Sequence, residues 1–391
     1  MKTITIEELE QLTPGSVTIV DVRPADTYQR GTFEGAINVP MKEFVDRYEE
    51  IPKDKPVWVL CHTGERSLDY VELLCSHGYD AGNITGGYRA YLRLQLERFM
   101  KEEDARKEKT KEIERSLIKK FRKSIWRSFT RAIQKYDLIQ EGDKIAVCIS
   151  GGKDSMLMAK LMQELQRHSD VPFELVFLVM DPGYNEINRQ KIESNAELLH
   201  IPVTIFESNI FAVANNTDKN PCYLCARMRR GHLYSKAREL GCNKIALGHH
   251  FNDVIETTVM SMFYGSQLQA MPPKLHSTSF PGMTLIRPMY CIREEDILAW
   301  KRYNELEFIQ CACRFTENCT MCDNGGGGSK RQEVKTLLRR LKRENPNIEN
   351  SIFRSIHAVA LDTMPGYKSE GVEHSFLERF NEKEPELHAE D

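Results

Sequence analysis

No stretch of this 391-residue chain approaches the ~20 consecutive apolar residues a membrane-spanning helix needs, so an integral α-helical membrane protein is excluded. The amino terminus, MKTITIEELEQ, is acidic and lacks the apolar core of a secretory signal, which makes a cytoplasmic protein the expectation. Without an export signal, disulfide scaffolding is a poor explanation for 11 cysteines, and catalytic or metal-binding thiols are a better one. Net charge is only −3, so no overall excess of one sign announces a nucleic-acid partner. Apolar residues at 41% and charged ones at 28% exclude disorder of the whole chain. The length suits two to four domains of ~100–200 residues each.

The near-neutral total conceals a strong asymmetry. Residues 1–100 hold 11 Lys/Arg against 16 Asp/Glu, and residues 369–391 hold 2 against 8, so the stretch between them is basic. Its most uneven part, 115–135, contains no acidic residue at all. There Ile113, Leu117, Phe121, Ile125, Phe129 and Ile133 recur every fourth residue, an amphipathic helix pattern. The other faces carry Arg115, Lys119, Lys120, Arg122, Lys123, Arg127, Arg131 and Lys135. A mixed-sign run would be an ordinary solvated face; cations without anions repel one another unless a polyanion lies against them, which points to RNA. A second basic stretch holds Lys335, Arg339, Arg340, Lys342 and Arg343. Upstream of both, residues 101–112 contain one apolar residue, reading as a solvated linker or an exposed helix start.

The front of the chain alternates short β-branched runs, Val17–Val20 and Val57–Leu60, with helical stretches such as 67–77, indicating a mostly parallel α/β sheet. Ligands gather at the carboxyl ends of such strands, and Cys61 stands at one, followed by His62-Thr63-Gly64-Glu65-Arg66. A loop entering a helix points N–H groups inward, and Arg66 adds a cation; both favour a thiolate or an anionic persulfide. A buried strand-end cysteine is the bland alternative. Asp21-Val22-Arg23, the run Tyr28–Pro40 and Gly86-Gly87-Tyr88 together resemble the rhodanese family across the whole module, with Thr32 where that family usually has His. The resemblance implies a Cys61 persulfide held by the 62–66 amides and Arg66. Four residues between Cys61 and Arg66, not the five of the related phosphatases, suit sulfur better than phosphate.

Lys144–Ile149 reads as a buried strand running through Ser150-Gly151-Gly152-Lys153-Asp154-Ser155 into a helix over 156–166, a geometry that grips phosphate with backbone amides and the helix dipole. The spacing does not fit G-x-x-x-x-G-K-[ST], which excludes an ordinary P-loop NTPase. Ser-Gly-Gly-Lys-Asp-Ser after a strand resembles the PP-loop of the adenylating ATP pyrophosphatases, and so does Gly248-His249-His250-Phe251-Asn252-Asp253 with Thr257. The resemblance implies a Rossmann-type α/β domain that binds ATP at 150–155, with Gly248 and His249 near the nucleotide and Asp253 placing Mg²⁺-ATP. Asp181, ending the next apolar run, would lie near the adenine.

Of the remaining cysteines, Cys222-Tyr223-Leu224-Cys225 precedes a helix carrying Arg227, Arg229 and Arg230, and Cys311, Cys313, Cys319 and Cys322 lie far downstream. A redox pair, a structural zinc site and an iron–sulfur cluster are all compatible with that spacing. Residues from about 114 to 360 resemble the tRNA 2-thiocytidine synthetase family, on Tyr136–Asp143, Cys222–Cys225 and Lys330-Arg331-Gln332 in addition to the PP-loop. That resemblance implies a [4Fe–4S] cluster on Cys222, Cys225 and one distant cysteine, placed first at Cys311 with Cys313, Cys319 and Cys322 as rivals. Cys75, Cys148, Cys242 and Cys291 are expected in the core. Gly325–Ser329 reads as a flexible linker or as an amide nest.

The expected organisation is a rhodanese-like domain over 1–98, a charged linker over 99–113, a PP-loop domain over 114–365 and an acidic tail over 366–391. The implied activity is ATP-dependent adenylation of a base carbonyl, at cytidine 32 of tRNA, followed by sulfur insertion. The sulfur would come from an upstream donor such as a cysteine desulfurase or a small persulfide. A homodimer is compatible with the sequence, and no membrane partner is expected. The rival readings are thiolation of another base or a non-tRNA acceptor, and a sulfur carrier or redox protein that uses ATP only as a ligand.

Overall fold

A computed structural model describes residues 1–208, 210, 221–309 and 330–382, with backbone alone for residues 221–226, 379, 381 and 382. The chain divides into two compact units, Met1–Glu108 and Lys109–Asp391.

The first unit is built on a five-stranded sheet in the order Lys2–Ile4, Ala81–Ile84, Val57–Leu60, Thr18–Asp21, Ile37–Asn38. All its pairings are parallel. Parallel strands are covered on both faces, which is why they read as Val/Ile runs rather than as alternation. Val20, Val57, Val59 and Leu60 are buried accordingly. The helix Ser67–Ser76 follows the Val57–Leu60 strand and sends Val71 and Leu74 into the core.

Gly87 to Ile118 is one 32-residue helix. The segment expected as a linker, 99–113, therefore lies inside a helix. Its Glu, Lys, Arg and Ala residues are good helix formers, and Lys107 pairs with Glu103 one turn back at 2.6 Å. The apolar repeat beyond it is interrupted: after Ile118 the chain makes a π-helical turn over Arg122–Trp126 and resumes as Arg127–Lys135. Ile113, Leu117, Phe121, Ile125 and Phe129 are nonetheless all buried in the second unit's core.

That core surrounds a six-stranded sheet in the order Lys274–His276, Thr284–Ile286, Lys244–Ala246, Lys144–Ile149, Glu174–Asp181, Val203–Glu207. Only the edge pair of Lys274–His276 with Thr284–Ile286 is antiparallel. Strand order reverses at Lys144–Ile149, whose neighbours come from later in the chain on both sides. In such a sheet the crevice at the carboxyl end of that strand is where ligands bind. Residues 366–382, expected as a plain acidic tail, form a hairpin of Gly366–Ser369 with Val372–Ser375 and a short helix, Phe376–Glu382.

Among the described residues, no helix is long and apolar enough to cross a membrane.

Candidate functional site

Cys61 follows directly on the Val57–Leu60 strand and is 1% exposed. Its Sγ accepts the backbone N–H of Gly64 at 3.1 Å and lies 3.1 Å from Ser67 Oγ, in the first turn of the next helix. Ser67 Oγ is also 2.6 Å from Asn83 Oδ1, and Asn83 Nδ2 donates to Gly64 O at 2.9 Å. A hydroxyl has one proton, so Ser67 serves Asn83 or the sulfur at any moment. A thiolate draws that hydrogen bond toward itself; with a thiol, Ser67 donates to Asn83 Oδ1. Arg66 is exposed and shares with Cys61 the wall of a cavity of about 750 Å³, together with His62, Thr63, Met41 and Lys42. One loop amide is thus on the sulfur, and Arg66 faces the space a substrate would enter.

Behind this loop a buried ion pair fixes the wall. Arg23 Nη2 meets Asp21 Oδ2 at 2.6 Å and also donates to Gly31 O at 2.7 Å. Thr32, the departure from the rhodanese pattern, donates its hydroxyl to the same Asp21 oxygen at 2.6 Å. The guanidinium of Arg23 stacks on Tyr88, 3.6 Å from the ring centre.

In the second unit, Ser150–Gly152 turns the Lys144–Ile149 strand into the helix Lys153–His168. Gly151 sits at φ +81°, where a Cβ would come within 2.7 Å of Ile192 and Ile309 side-chain atoms. Ser155 Oγ accepts the Ser150 N–H at 3.1 Å and donates to Gly152 O at 3.0 Å, holding the loop open. Gly248 ends the stretch after the Lys244–Ala246 strand; a Cβ there would lie 3.2 Å from Ser155 N and Cα. The two glycine-bearing segments are therefore packed backbone to backbone.

Lys153 Nζ lies 2.9 Å from Asp154 Oδ2 and 3.6 Å from Glu294 Oε1. Burial pushes its pKa down, but those two carboxylates outweigh it and the ammonium is held charged. Asp253 caps the helix Phe251–Gly265: its Oδ2 accepts the His250 N–H at 3.0 Å, and its Oδ1 accepts from Arg331 Nη2 at 2.5 Å. Burial would raise the Asp253 pKa, yet His250 and Arg331 keep it below the usual carboxylate range. Burial lowers the His249 imidazole to about 4, so it is neutral near pH 7. Three buried polar atoms here make no hydrogen bond: Asp154 Oδ1, which lies 3.8 Å from His250 Nε2, His249 Nδ1 and His250 Nδ1. Buried polar groups are satisfied in the great majority of cases, so such a cluster is what a site awaiting a polar ligand looks like. Asp181, at the end of the adjacent strand, accepts the N–H groups of Gly183 and Tyr184 at 2.8 and 2.7 Å, with Arg189 Nη1 at 3.3 Å from its other oxygen.

Sequence reasoning missed His250, Glu294 and the ion-pairing role of Arg331. His250 had a signal, as the neighbour of His249; Glu294 and Arg331 reach the site across long sequence separations that no spacing rule encodes. Lys335 and Lys342, expected on an RNA-facing strip, are instead engaged by Glu294 at 2.7 Å and by Glu295 and Glu349 at 3.0 Å. The eight cations of 115–135 are all exposed.

The helix Pro221–Glu239 carries Cys222 and Cys225 in its first two turns. Positions three apart share one helix face. Their side chains, and all of Cys311, Cys313, Cys319, Cys322 and Gly325–Ser329, lie outside the described residues. Among the described residues no group of three or more His, Cys, Asp or Glu is placed to hold a metal ion. Cys148 and Cys242 are buried, and burial raises both thiol pKa values. Cys291 is half-buried and raised likewise. Cys75 departs from expectation: it is exposed.

Residues 5–94 match the rhodanese-like domain family and residues 121–314 the PP-loop domain family. The tRNA-cytidine(32) 2-sulfurtransferase of Alcanivorax borkumensis is 37% identical over 254 residues, covering 63% of this chain and 84% of that protein. The protein of the same name from Cellvibrio japonicus is 38% identical over 253 residues, 63% of this chain and 79% of its own. Among solved structures, the U34-tRNA thiolase NcsA from Methanococcus maripaludis with its [4Fe-4S] cluster is similar over 62% of this chain and 80% of its own, at 22% identity and a TM-score of 0.47. With a relative of that identity matched over most of its length, the chain belongs to the tRNA-cytidine(32) 2-sulfurtransferase family and carries a rhodanese-like domain in front of the shared region.

Proposed function

We propose that this chain uses ATP to convert cytidine 32 of tRNA to 2-thiocytidine, with sulfur taken up at Cys61. The observation that carries the reading is the glycine turn at 150–155, pressed against Gly248 and flanked by buried polar atoms that make no hydrogen bond, in a chain of this family. Replacing a carbonyl oxygen by sulfur needs a better leaving group than hydroxide. The base oxygen attacks the α-phosphorus of ATP, the α–β P–O bond breaks, and pyrophosphate departs. A sulfur nucleophile then adds to the activated carbon, and AMP leaves carrying the original oxygen.

The chain's own residues divide this work. The 150–155 amides and Lys153 would bind the negative charge that grows on the leaving group. His249, neutral, would act as a hydrogen-bonding group rather than a cation. Asp253 and Asp154 would supply carboxylate oxygen to Mg²⁺, which is held by one or two carboxylates together with phosphates. Asp181, at the next strand end, would bound the adenine side. The donor set of Cys222, Cys225 and a third cysteine, placed first at Cys311, is all thiolate, which suits iron–sulfur ligation. When bound, a [4Fe–4S] cluster on three cysteines supplies one iron open to sulfide. Cys61 would accept sulfane sulfur from an upstream donor, with the Gly64 amide, Ser67 and Arg66 stabilising the anionic persulfide. The exposed cations of 115–135 would hold the tRNA backbone.

The reading is tested by nucleoside mass spectrometry of tRNA from a strain lacking the gene, in an organism without a second synthetase. 2-Thiocytidine should disappear. Its persistence at the parental level would overturn the reading.

A further inference from the structure

Next to the first turn of the Lys153–His168 helix lies a cavity of about 260 Å³. Three cations from two separate parts of the chain converge on it: Lys153, and Arg331 with Lys335 one turn apart on the helix Lys330–Glu344. Arg331 is held by Asp253 and by Glu256 Oε2 at 3.0 Å, and Lys335 by Glu294 Oε2 at 2.7 Å. Glu294 also stands 3.6 Å from Lys153, so one carboxylate sits between two ammonium groups. Burial would raise its pKa, but Lys335 and Lys153 keep it ionised.

A stability role alone accounts poorly for this arrangement. Ion pairs whose cations remain partly exposed add little to stability. On the same wall His250, 4% exposed, has Nε2 3.6 Å from Asp253 Oδ2 while its Nδ1 makes no hydrogen bond, an omission that burial penalises. The cavity also adjoins the helix end where the helix dipole favours phosphate.

We propose that this cavity receives the β,γ-diphosphate of ATP and then the departing pyrophosphate, and that Lys335 and Arg331 bind its oxygens alongside Lys153. Glu294 is the positioning residue that sets the Lys335 ammonium beside that of Lys153. This rests on the adenylating reading above and goes beyond it, by adding two phosphate-binding residues outside the glycine loop. On nucleotide entry Lys335 and Arg331 exchange carboxylate partners for phosphate oxygens. The carboxylates they leave, with Asp154, face the divalent cation that accompanies the nucleotide. The two cations lie one turn apart on the helix Lys330–Glu344.

The test is calorimetric titration of the full-length chain with magnesium ATP, magnesium pyrophosphate and AMP in turn. For Lys335→Gln and Arg331→Gln, affinity for ATP and pyrophosphate should fall roughly 10- to 100-fold, the loss expected of a charged hydrogen bond. AMP, which lacks the diphosphate, should bind as to the wild type. Lys335→Arg should recover most of the loss, and Glu294→Gln should weaken pyrophosphate binding less than Lys335→Gln does. Unchanged ATP and pyrophosphate affinity in both Gln variants would overturn the proposal. So would a parallel loss of AMP in both, which would make the ion pairs structural. A wild-type chain that binds neither ATP nor AMP would instead overturn the adenylating reading on which this one rests.

Discussion

The backbone N–H of Gly64 reaches Cys61 Sγ at 3.1 Å from a position that only glycine can occupy. Gly64 has φ +82°, and a Cβ on it would lie 2.6 Å from Gly86 N and 2.8 Å from Ile84 O. Gly87 is constrained from the other side, since its Cβ would meet Cys61 O at 2.4 Å. The Cys61 loop and the Gly86-Gly87 turn are thus closed against each other through bare backbone, which explains why both occur in one motif set.

Gly64→Ala should therefore misplace the amide that stabilises sulfur anion. We expect thiosulfate:cyanide sulfurtransferase activity to fall at least about 10-fold, with a loss of about 1–3 kcal/mol in stability from the strained φ. Cys61→Ser should abolish the activity while leaving the fold intact. Undiminished turnover in Cys61→Ser would remove Cys61 from the sulfur path.

Gly248→Ala places a methyl 3.2 Å from Ser155 N and Cα, close enough to push the loop by a few tenths of an ångström. ATP affinity should drop by roughly 10-fold, about 1.4 kcal/mol, with little change in circular dichroism. Equal ATP affinity in the variant would mean that loop and Gly248 segment need not touch.

His249 makes a pH prediction with a definite sign. Its folded pKa of about 4 lies below the unfolded value near 6.5, so below that value the unfolded chain binds the extra proton. The stabilising contribution is complete above pH 6.5 and is lost as pH falls toward 4, on the order of 3 kcal/mol in all. Denaturant titrations between about pH 7 and pH 4.5 should show a loss that His249→Gln reduces. An NMR titration of His249 with a midpoint near 6.5 would contradict it.

The central strands Val57–Leu60 and Lys144–Ile149, the turn at 150–155 and the strand-end position of Cys61 are legible in the sequence because each is written locally. A β-branched run, a glycine turn and an amphipathic start lie within a dozen residues. The charged stretch at 99–113 misleads because the same Glu, Lys and Arg residues serve a linker and an exposed helix equally well; Lys107–Glu103 pairing goes with the helix. Lys335 and Lys342 mislead for another reason. A basic helix face in sequence is free only if no acidic face packs on it, and Glu294, Glu295 and Glu349 do. The Glu294–Lys153 and Arg331–Asp253 pairs join residues brought together by tertiary packing alone.

Cluster ligation is read most directly from metal content. Anaerobically purified Cys222→Ala or Cys225→Ala should lose most of its iron and acid-labile sulfide, whereas Cys75→Ala, an exposed position, should keep both. Full iron retention in Cys222→Ala would place the ligands elsewhere.

The exposed cations at Arg122, Lys123 and Arg127 should make tRNA binding steeply salt-dependent. Replacing all three by Gln should lower the slope of log K against log[salt] by roughly 2–3, at ~0.7–0.9 for each phosphate no longer neutralised. An unaltered slope would put the tRNA on another face.

The proposed mechanism stands on the coupling of adenylation to sulfur insertion at one cytidine. Its most direct test is reconstitution of the anaerobically purified chain with magnesium ATP, sulfide and unmodified tRNA, followed by nucleoside mass spectrometry and analysis of the released nucleotides. 2-Thiocytidine is expected at position 32, formed in step with equimolar AMP and pyrophosphate. Release of ADP and orthophosphate, or consumption of ATP with no 2-thiocytidine in the tRNA, would contradict it.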